Sequence, residues 1–235
     1  FQLRVRVHGN GLGTLESCDI WANTLFGVGI STGGNPTIKD CKIIGGKKAG
    51  VHIGNRGCGT VEQCDIRGSE GSGVVLVESG DPIIRGCKIC DSKKNGVWVD
   101  DGGRGTIDRC DIWGNACAGV AISGRGDPEI RDCRIHDGWN AGVYVNGNGR
   151  GTIDRCDIWG NASPGIAVTT GGNPTVRHCK IHDGKDVGVY VCAGGRGTFE
   201  ACETWGNMVY GVEAERDCKP ICVGCLHRDG GLQPC

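Results

Sequence analysis

Apolar residues return along this chain every 23 positions, in columns dominated by Ile and Val. One column, with Ile in eight successive repeats from Ile20 to Ile181, lies two residues after a regularly spaced cysteine. Two further columns, Val28 to Val212 and Ile30 to Val191, are separated by one variable residue, which is the alternation of a strand. β-Branched residues at this spacing, bounded by Gly, Asn and Asp, predict short strands and leave no room for a helix of about ten residues.

A cysteine occupies the same position in each successive repeat of this chain of 235 residues. Ten cysteines stand 23 residues apart, namely Cys18, Cys41, Cys64, Cys87, Cys110, Cys133, Cys156, Cys179, Cys202 and Cys225. Such a period is typical of a solenoid, in which each repeat is one coil that buries its apolar face against its neighbours. We predict an all-β, right-handed parallel β-helix of about nine to ten coils. A leucine-rich repeat is the alternative, but Ile and Val stand where that repeat needs Leu.

These ladder cysteines are expected to be free, buried thiols. Coils about 4.8 Å apart would leave their Cβ atoms slightly too far apart for a relaxed disulfide, whereas a buried Cys packs as a small hydrophobe. A glycine stands nine residues after each ladder cysteine from Gly27 to Gly211. This column indicates a corner that needs a positive φ or a close backbone approach.

Charged positions follow a doubled period of 46 residues. From Cys18 to Cys202, the residues two before and one after each ladder cysteine alternate between acidic and basic from coil to coil, as in Glu62, Arg85 and Asp108. In an in-register stack this alternation places opposite charges side by side, which stabilises by about 0.2–1 kcal/mol per exposed pair. We therefore assign most of the charged side chains to the framework.

The overall charge excludes some classes of partner. The chain has 26 basic and 27 acidic side chains and a formal net charge of −1. Nucleic acids and anionic membrane surfaces need clustered Lys and Arg, so we expect neither as a partner. No run approaches the roughly 18 apolar residues of a spanning helix, so direct membrane insertion is not expected.

Two segments are predicted from the repeat pattern. Residues 1–217 form the solenoid, whose first coil is incomplete because Val5 and Val7 align with Val28 and Ile30. Residues 218–235 form a Cys-rich cap or tail. Its spacing has the form of a zinc site, with candidate ligands Cys218, Cys222, Cys225, Cys235 and His227. Packing is the favoured interpretation because Cys225 belongs to the ladder and Cys222 to an inward column, so we expect no metal and no cofactor.

Several repeats resemble a known family. The sequences Ile135-His136-Asp137-Gly138 and Ile181-His182-Asp183-Gly184, and Cys-Asp-Ile-Trp-Gly-Asn at Cys110 and Cys156, resemble β-helix repeats of carbohydrate-binding and sugar-hydrolase-type proteins. They are most similar to the β-helix region of F-box substrate receptors, although that family commonly has Asn at the ladder position. The resemblance implies a right-handed β-helix that holds a protein partner without catalysis.

Two aromatic columns are the candidate partner-binding residues. Five consecutive coils carry alternating indole and imidazole rings three residues after the ladder cysteine, at Trp113, His136, Trp159, His182 and Trp205. Trp is frequent at binding hot spots, but rings in this position are also expected to pack over a corner. A second column, eleven residues after the cysteine, carries Trp98, Tyr144 and Tyr190, two coils or about 10 Å apart. That interval matches alternate units of an extended polysaccharide, although we favour a protein contact over a sugar. The small residues between the large ones would also let the rings lie flat along the solenoid.

Catalytic candidates are few. A β-helix lyase or hydrolase needs clustered carboxylates, and Asp100, Asp101 and Glu78 are the nearest match. We interpret these three as turn residues and expect no catalytic residue. The sequence thus favours a non-catalytic β-helix that serves as a protein-binding platform or as a structural subunit of a larger multi-protein assembly. A carbohydrate-active β-helix enzyme or polysaccharide-binding protein is the alternative.

Overall fold

The computed structural model describes residues 5–229 as thirty strands, numbered β1–β30 in chain order, in three parallel sheets. Sheet 1 contains β1 (Val5–Val7), β4 (Phe26–Ile30), β7 (Ala49–Ile53), β10 (Ser72–Leu76), β13 (Val97–Val99), β16 (Val120–Ile122), β19 (Val143–Val145), β22 (Ile166–Val168), β25 (Val189–Val191) and β28 (Val212–Ala214). Sheet 2 contains β2 (Thr14–Glu16), β5 (Thr37–Lys39), β8 (Thr60–Glu62), β11 (Ile83–Arg85), β14 (Thr106–Asp108), β17 (Glu129–Arg131), β20 (Thr152–Asp154), β23 (Thr175–Arg177), β26 (Thr198–Glu200) and β29 (Ile221–Val223). Sheet 3 contains β3 (Asp19–Asn23), β6 (Lys42–Gly46), β9 (Asp65–Arg67), β12 (Lys88–Cys90), β15 (Asp111–Trp113), β18 (Arg134–His136), β21 (Asp157–Trp159), β24 (Lys180–His182), β27 (Glu203–Trp205) and β30 (Leu226–His227).

Each coil passes through the three sheets in turn and pairs in register with the coil before it. Val97 in β13 lies beside Val74 in β10 and Val120 in β16, each 23 residues away. The Ile and Val columns are buried, as Ile112 and Val120 illustrate with no exposed surface. The predicted all-β parallel solenoid of about ten coils is therefore confirmed.

The cysteine ladder runs inside the solenoid. Ladder cysteines from Cys41 to Cys202 are buried, whereas Cys18 and Cys225 are partly exposed, and the described cysteines are free thiols. The sulfur of Cys133 lies 3.2 Å from the carbonyl oxygen of Arg131 and 3.4 Å from that of Ile107 in the preceding coil, and these two acceptors share its single S–H donor. Because the same pair of contacts recurs along the ladder, the cysteine both fills core space and joins successive coils.

The glycine column is explained by close approach. A Cβ atom at Gly27 would lie 2.6 Å from Cγ2 of Ile43 and 2.8 Å from the carbonyl oxygen of Gly50, and equivalent contacts recur at Gly50 and Gly73. Their φ angles lie outside the left-handed region. Of the two reasons expected from the sequence, only the steric one therefore applies.

The charge alternation forms ion pairs across coils on sheet 2. Asp108 lies between Arg131, at 3.1 Å, and Arg85, at 3.6 Å. Asp154 occupies the equivalent position two coils later, where His178 Nδ1 lies 3.1 Å from its carboxylate and Arg177 3.3 Å from it. Burial alone would raise the pKa of Asp154, but the His178 and arginine contacts outweigh it and lower the pKa below its ordinary value.

Strand pairing continues into the Cys-rich segment. Strands β29 and β30 pair with β26 and β27, so the coil pattern extends to His227. The division into 1–217 and 218–235 stays a prediction, and Cys235 lies outside the described residues. No helix of the described part of the chain is long and apolar enough to cross a membrane.

Candidate functional site

Three aromatic side chains project outward from sheet 1 at two-coil intervals. Trp98, Tyr144 and Tyr190 occupy the middle positions of β13, β19 and β25, while Ala121 and Ala167 occupy the same position in the coils between them. Both alanines are buried although they point outward, which indicates that neighbouring side chains cover their methyl groups. The sequence column thus becomes a surface in which large rings alternate with small gaps.

Hydrogen bonds fix the first and last of these rings. Nε1 of Trp98 donates to Oγ of Ser123 at 3.2 Å, which holds the indole toward the coil of Ala121. The Tyr190 hydroxyl donates to Oε1 of Glu215 at 3.1 Å across the same sequence separation of 25 residues. Burial and then the Glu215 carboxylate raise the pKa of Tyr190 to about 12, so this phenol is protonated at neutral pH.

Trp98 and Tyr144 share a cavity of about 440 Å³ above Ala121. This volume lies within the range of small-ligand sites, about 300–1,000 Å³. We call it the aromatic cleft, and it is lined by Asn95, Trp98, Cys117, Ala118, Ala121, Ser123, Asn140, Tyr144 and Asn146. Within residues 5–229, none of its lining side chains is a carboxylate, an imidazole, a lysine or an arginine.

Tyr190 lies outside the aromatic cleft. It lines a smaller cavity of about 170 Å³ with Pro164, Asp186, Val187 and Glu213. The three aromatic residues of sheet 1 therefore share a face but not a single pocket. Two of them form the cleft and the third lies further along the same face, beside carboxylates.

The rings of sheet 3 have a different arrangement. His136 lies nearly parallel to Trp159 with ring centroids 4.1 Å apart, and the His182 and Trp205 centroids are 4.3 Å apart. In the two remaining pairs, Trp113 with His136 and Trp159 with His182, the ring centroids are 6.0 Å apart. The five rings therefore form one continuous stack along the solenoid, which we call the pile. Their flat faces contact one another, which leaves mainly ring edges toward solvent.

Contacts with carboxylates fix both imidazoles of the pile. Nε2 of His136 lies 3.0 Å from Asp111 and its Nδ1 lies 2.8 Å from Asp137. His182 repeats this arrangement between Asp157 and Asp183. The same polar arrangement in two coils accounts for the Ile-His-Asp-Gly sequences as framework, and a partner-binding role of this column stays a prediction.

The catalytic candidates lie in turns. Glu78 and Asp101 have positive φ angles of 50° and 46° in the turns that follow sheet 1, and Asp100 lies next to Asp101. Left-handed backbone at non-glycine residues is typical of such turns, and Asp adopts it more readily than most residues. This placement agrees with their interpretation as turn residues.

The candidate zinc ligands are not gathered within the described part of the chain. Cys218 lies with Glu215 and Asp217, whose ligand atoms are within 4.8 Å of one another. Glu215 already accepts hydrogen bonds from Tyr190 and from the backbone N–H of Ala193. We assign no metal site to this group.

Comparison with known proteins identifies a family to which most of the chain matches. The family described as right handed beta helix region matches residues 3–89 and 72–225, which is most of the chain. This chain belongs to the right-handed β-helix family. No curated protein matches the chain significantly, and its link to F-box receptors stays a prediction.

Solved structures with the same fold are distant in sequence. The A-module of the mannuronan C-5 epimerase AlgE4 from Azotobacter vinelandii has a TM-score of 0.65 at 14% identity, over 95% of this chain and 81% of that chain. The protein ORF18 of Geobacillus virus E2 has a TM-score of 0.56 at 13% identity, and the match covers 92% of this chain and 46% of that chain. The pectate lyase Pel9A has a TM-score of 0.52 at 11% identity, and the match covers 92% of this chain and 69% of that chain. At these identities the likeness shows the fold alone.

Sequence reasoning missed the polar walls of the aromatic cleft. Asn95, Asn140, Asn146 and Ser123 belong to corner columns that vary from coil to coil, so no repeat pattern singles them out. The available signal is the placement of two Asn residues around Tyr144, with Asn140 three residues before β19 and Asn146 directly after it.

Proposed function

We propose that this chain binds an extended polysaccharide along the outward face of sheet 1 without converting it chemically. The observation that carries the proposal is the aromatic cleft, with Trp98 and Tyr144 at either side of Ala121 and amide side chains around them. Pyranose rings have apolar C–H faces and polar hydroxyl edges. A cleft with aromatic side chains and amides offers a partner for each of these two surfaces.

The spacing of the rings supports a polymer rather than a single sugar. Trp98, Tyr144 and Tyr190 lie two coils, or about 10 Å, apart along the solenoid axis. This distance is close to the length of two units of an extended pyranose chain, so alternate sugars of one chain meet successive rings. The cavity at Ala121 leaves room for a sugar between Trp98 and Tyr144.

The composition of the cleft favours binding over catalysis. Hydrolysis of a glycosidic bond needs a pair of carboxyl groups on either side of the bond, and elimination needs a base near the reacting carbon. Of the side chains that line the aromatic cleft in the described residues, none supplies a carboxylate or an imidazole. We therefore assign this cleft a holding role.

The structural neighbours give this proposal priority over the protein platform that the sequence favoured. Two of them are named for enzymes of polysaccharides, mannuronan and pectate. Proteins with this fold thus include enzymes named for long polysaccharides, which supports a polysaccharide as the ligand of the cleft on this chain. A protein partner at the sheet 3 column has no comparable support.

The experiment is a binding assay on the full chain and three variants. Affinity electrophoresis and calorimetry with a panel of soluble polysaccharides compare the parent with Trp98→Ala, Tyr144→Ala and the matched control Trp159→Ala, which removes an indole from sheet 3. We expect each sheet 1 variant to bind at least about tenfold more weakly, since hot-spot aromatics contribute about 2 kcal/mol or more. The control should bind like the parent.

Two results would contradict the proposal. Absence of binding to every polymer of the panel removes polysaccharide binding as the function. Shortening of a bound polymer, measured by size-exclusion chromatography and the release of reducing ends, or a change in its sugar residues, measured by NMR, shows that the chain is an enzyme.

A further inference from the structure

We infer that the polysaccharide held in the aromatic cleft is uncharged. This inference rests on the proposed function and narrows it to one chemical class, the neutral glycans. Mannuronan and pectate, the polymers in the names of two structural neighbours, carry carboxylates on their sugars. The neutral lining of the cleft and the carboxylates beside Tyr190 argue against a ligand of that kind.

The aromatic cleft itself has no cation to pair with a carboxylate. Its lining consists of three amides, the hydroxyl of Ser123, one thiol, two alanines, an indole and a phenol, all within the described residues. A carboxylate that enters such a site loses hydration, and neutral donors compensate only part of that cost. A hydroxyl group loses far less, so a neutral sugar is the better fit.

Further along the same face the charges are negative. Asp186 and Glu213 line the cavity beside Tyr190, and Glu215 accepts the hydrogen bond from the Tyr190 hydroxyl. A chain that extends from the aromatic cleft past Tyr190 therefore meets carboxylates. An anionic polymer would be repelled there, whereas hydroxyl groups can donate hydrogen bonds to the same oxygens.

The amides of the cleft are set to donate to sugar oxygens. Oδ1 of Asn95 accepts from the backbone N–H of Ala118 at 3.1 Å, and Oδ1 of Asn140 accepts from the N–H of Ala141 at 2.8 Å. These bonds define the orientation of both amides and leave their NH₂ groups for a ligand. Hydroxyl and ring oxygens of a neutral sugar accept such bonds without the desolvation of a full charge.

The test compares matched polymers that differ in charge. Glucomannan, mixed-linkage β-glucan and xylan serve as neutral probes, and polymannuronate and polygalacturonate serve as anionic probes. Each is titrated into the parent chain and into Trp98→Ala at low salt and at 0.15 M salt, where the Debye length is about 8 Å. We expect at least one neutral polymer to bind at least about tenfold tighter than both polyuronates, with an affinity that is insensitive to salt and reduced by Trp98→Ala.

A second variant tests the charge argument on the same face. Glu213→Lys places a cation next to Tyr190, and we expect it to strengthen polyuronate binding by about threefold or more at low salt while neutral binding changes less. Glu213→Gln is the control that removes the negative charge without adding a positive one, and it should give a smaller gain.

The outcomes separate this inference from the proposed function. Polyuronate binding that equals or exceeds neutral binding and is lost in Trp98→Ala overturns the inference and leaves the proposed function standing. No binding to any of the polymers, or binding that Trp98→Ala does not weaken, overturns both.

Discussion

Sheets 1 and 3 each carry aromatic rings at two-coil intervals, but the residue between the rings makes them different surfaces. On sheet 1 the intervening residues are Ala121 and Ala167, and a cavity forms between Trp98 and Tyr144. On sheet 3 the intervening residues are histidines, and each imidazole stacks on its neighbouring indoles. The comparison teaches that a small residue between rings leaves space for a ligand, whereas a flat residue there completes a structural pile.

The largest expected effect comes from making sheet 1 resemble sheet 3. Ala121→Trp places a ring between Trp98 and Tyr144, where it occupies the aromatic cleft. We expect polysaccharide affinity to fall at least about 100-fold, or roughly 2.7 kcal/mol, in calorimetric titrations. Ala121→Ser is the control, because it keeps the gap open and should bind like the parent. Full binding by Ala121→Trp would show that the ligand lies elsewhere.

The reverse change makes sheet 3 resemble sheet 1. His136→Ala removes the ring that stacks on Trp159 at 4.1 Å and lies between Asp111 and Asp137. We expect the free energy of unfolding to fall by about 2 kcal/mol in urea titrations, from lost stacking and lost hydrogen bonds. Polysaccharide affinity should not change.

A matched variant of His136 separates the contribution of ring stacking from that of the hydrogen bonds. His136→Phe keeps a flat ring but loses both carboxylate contacts, so its stability should lie between those of the parent and His136→Ala. A loss of binding at unchanged stability in either variant would assign a ligand to sheet 3 and contradict the comparison.

The charged column of sheet 2 should respond to acid, unlike the neutral cleft. The pKa of Asp154 is lowered in the folded chain, so its stabilising contribution is present above the unfolded value near 3.9 and is lost as pH falls through the folded value. Asp154→Asn should reduce the free energy of unfolding by about 1.5 kcal/mol at pH 7. In urea titrations from pH 7 to pH 2.5 this difference should shrink, and a difference that grows in acid would contradict the assignment.

The smallest expected effect concerns the orientation of one ring. Ser123 accepts the hydrogen bond from Nε1 of Trp98, so Ser123→Ala releases the indole without removing it. We expect about threefold weaker binding, near 0.6 kcal/mol, and recovery in Ser123→Thr, which restores a hydroxyl. A loss as large as that of Trp98→Ala, or no recovery with Thr, would contradict a positioning role.

Much of the fold follows from the sequence because its period is fixed. The columns of Ile, Val and Cys repeat without insertion, so one coil defines the others, and the charges alternate with the same regularity. The steric role of Gly27 required coordinates, because a glycine column alone is compatible with a positive φ or with a close approach.

The candidate site was less predictable. Both columns repeat a large ring every two coils, and the intervening residue, Ala on sheet 1 and His on sheet 3, can be read from the sequence, but the space that it leaves between the rings could not. The difference depends on the directions in which the rings lean, and the Trp98–Ser123 bond and the His136–Asp111 contact set these directions. Each of these contacts joins residues 25 positions apart, and a pattern read one column at a time does not reveal such pairs.

A crystal structure of the chain with a neutral oligosaccharide is the most direct test of the central claim, that the outward face of sheet 1 holds a polymer. We predict sugar units above Ala121 between Trp98 and Tyr144, with the oligosaccharide parallel to the solenoid axis and directed toward Tyr190. Electron density for the sugar at the Trp113–Trp205 pile, or across the coils at a right angle to the axis, would contradict the account.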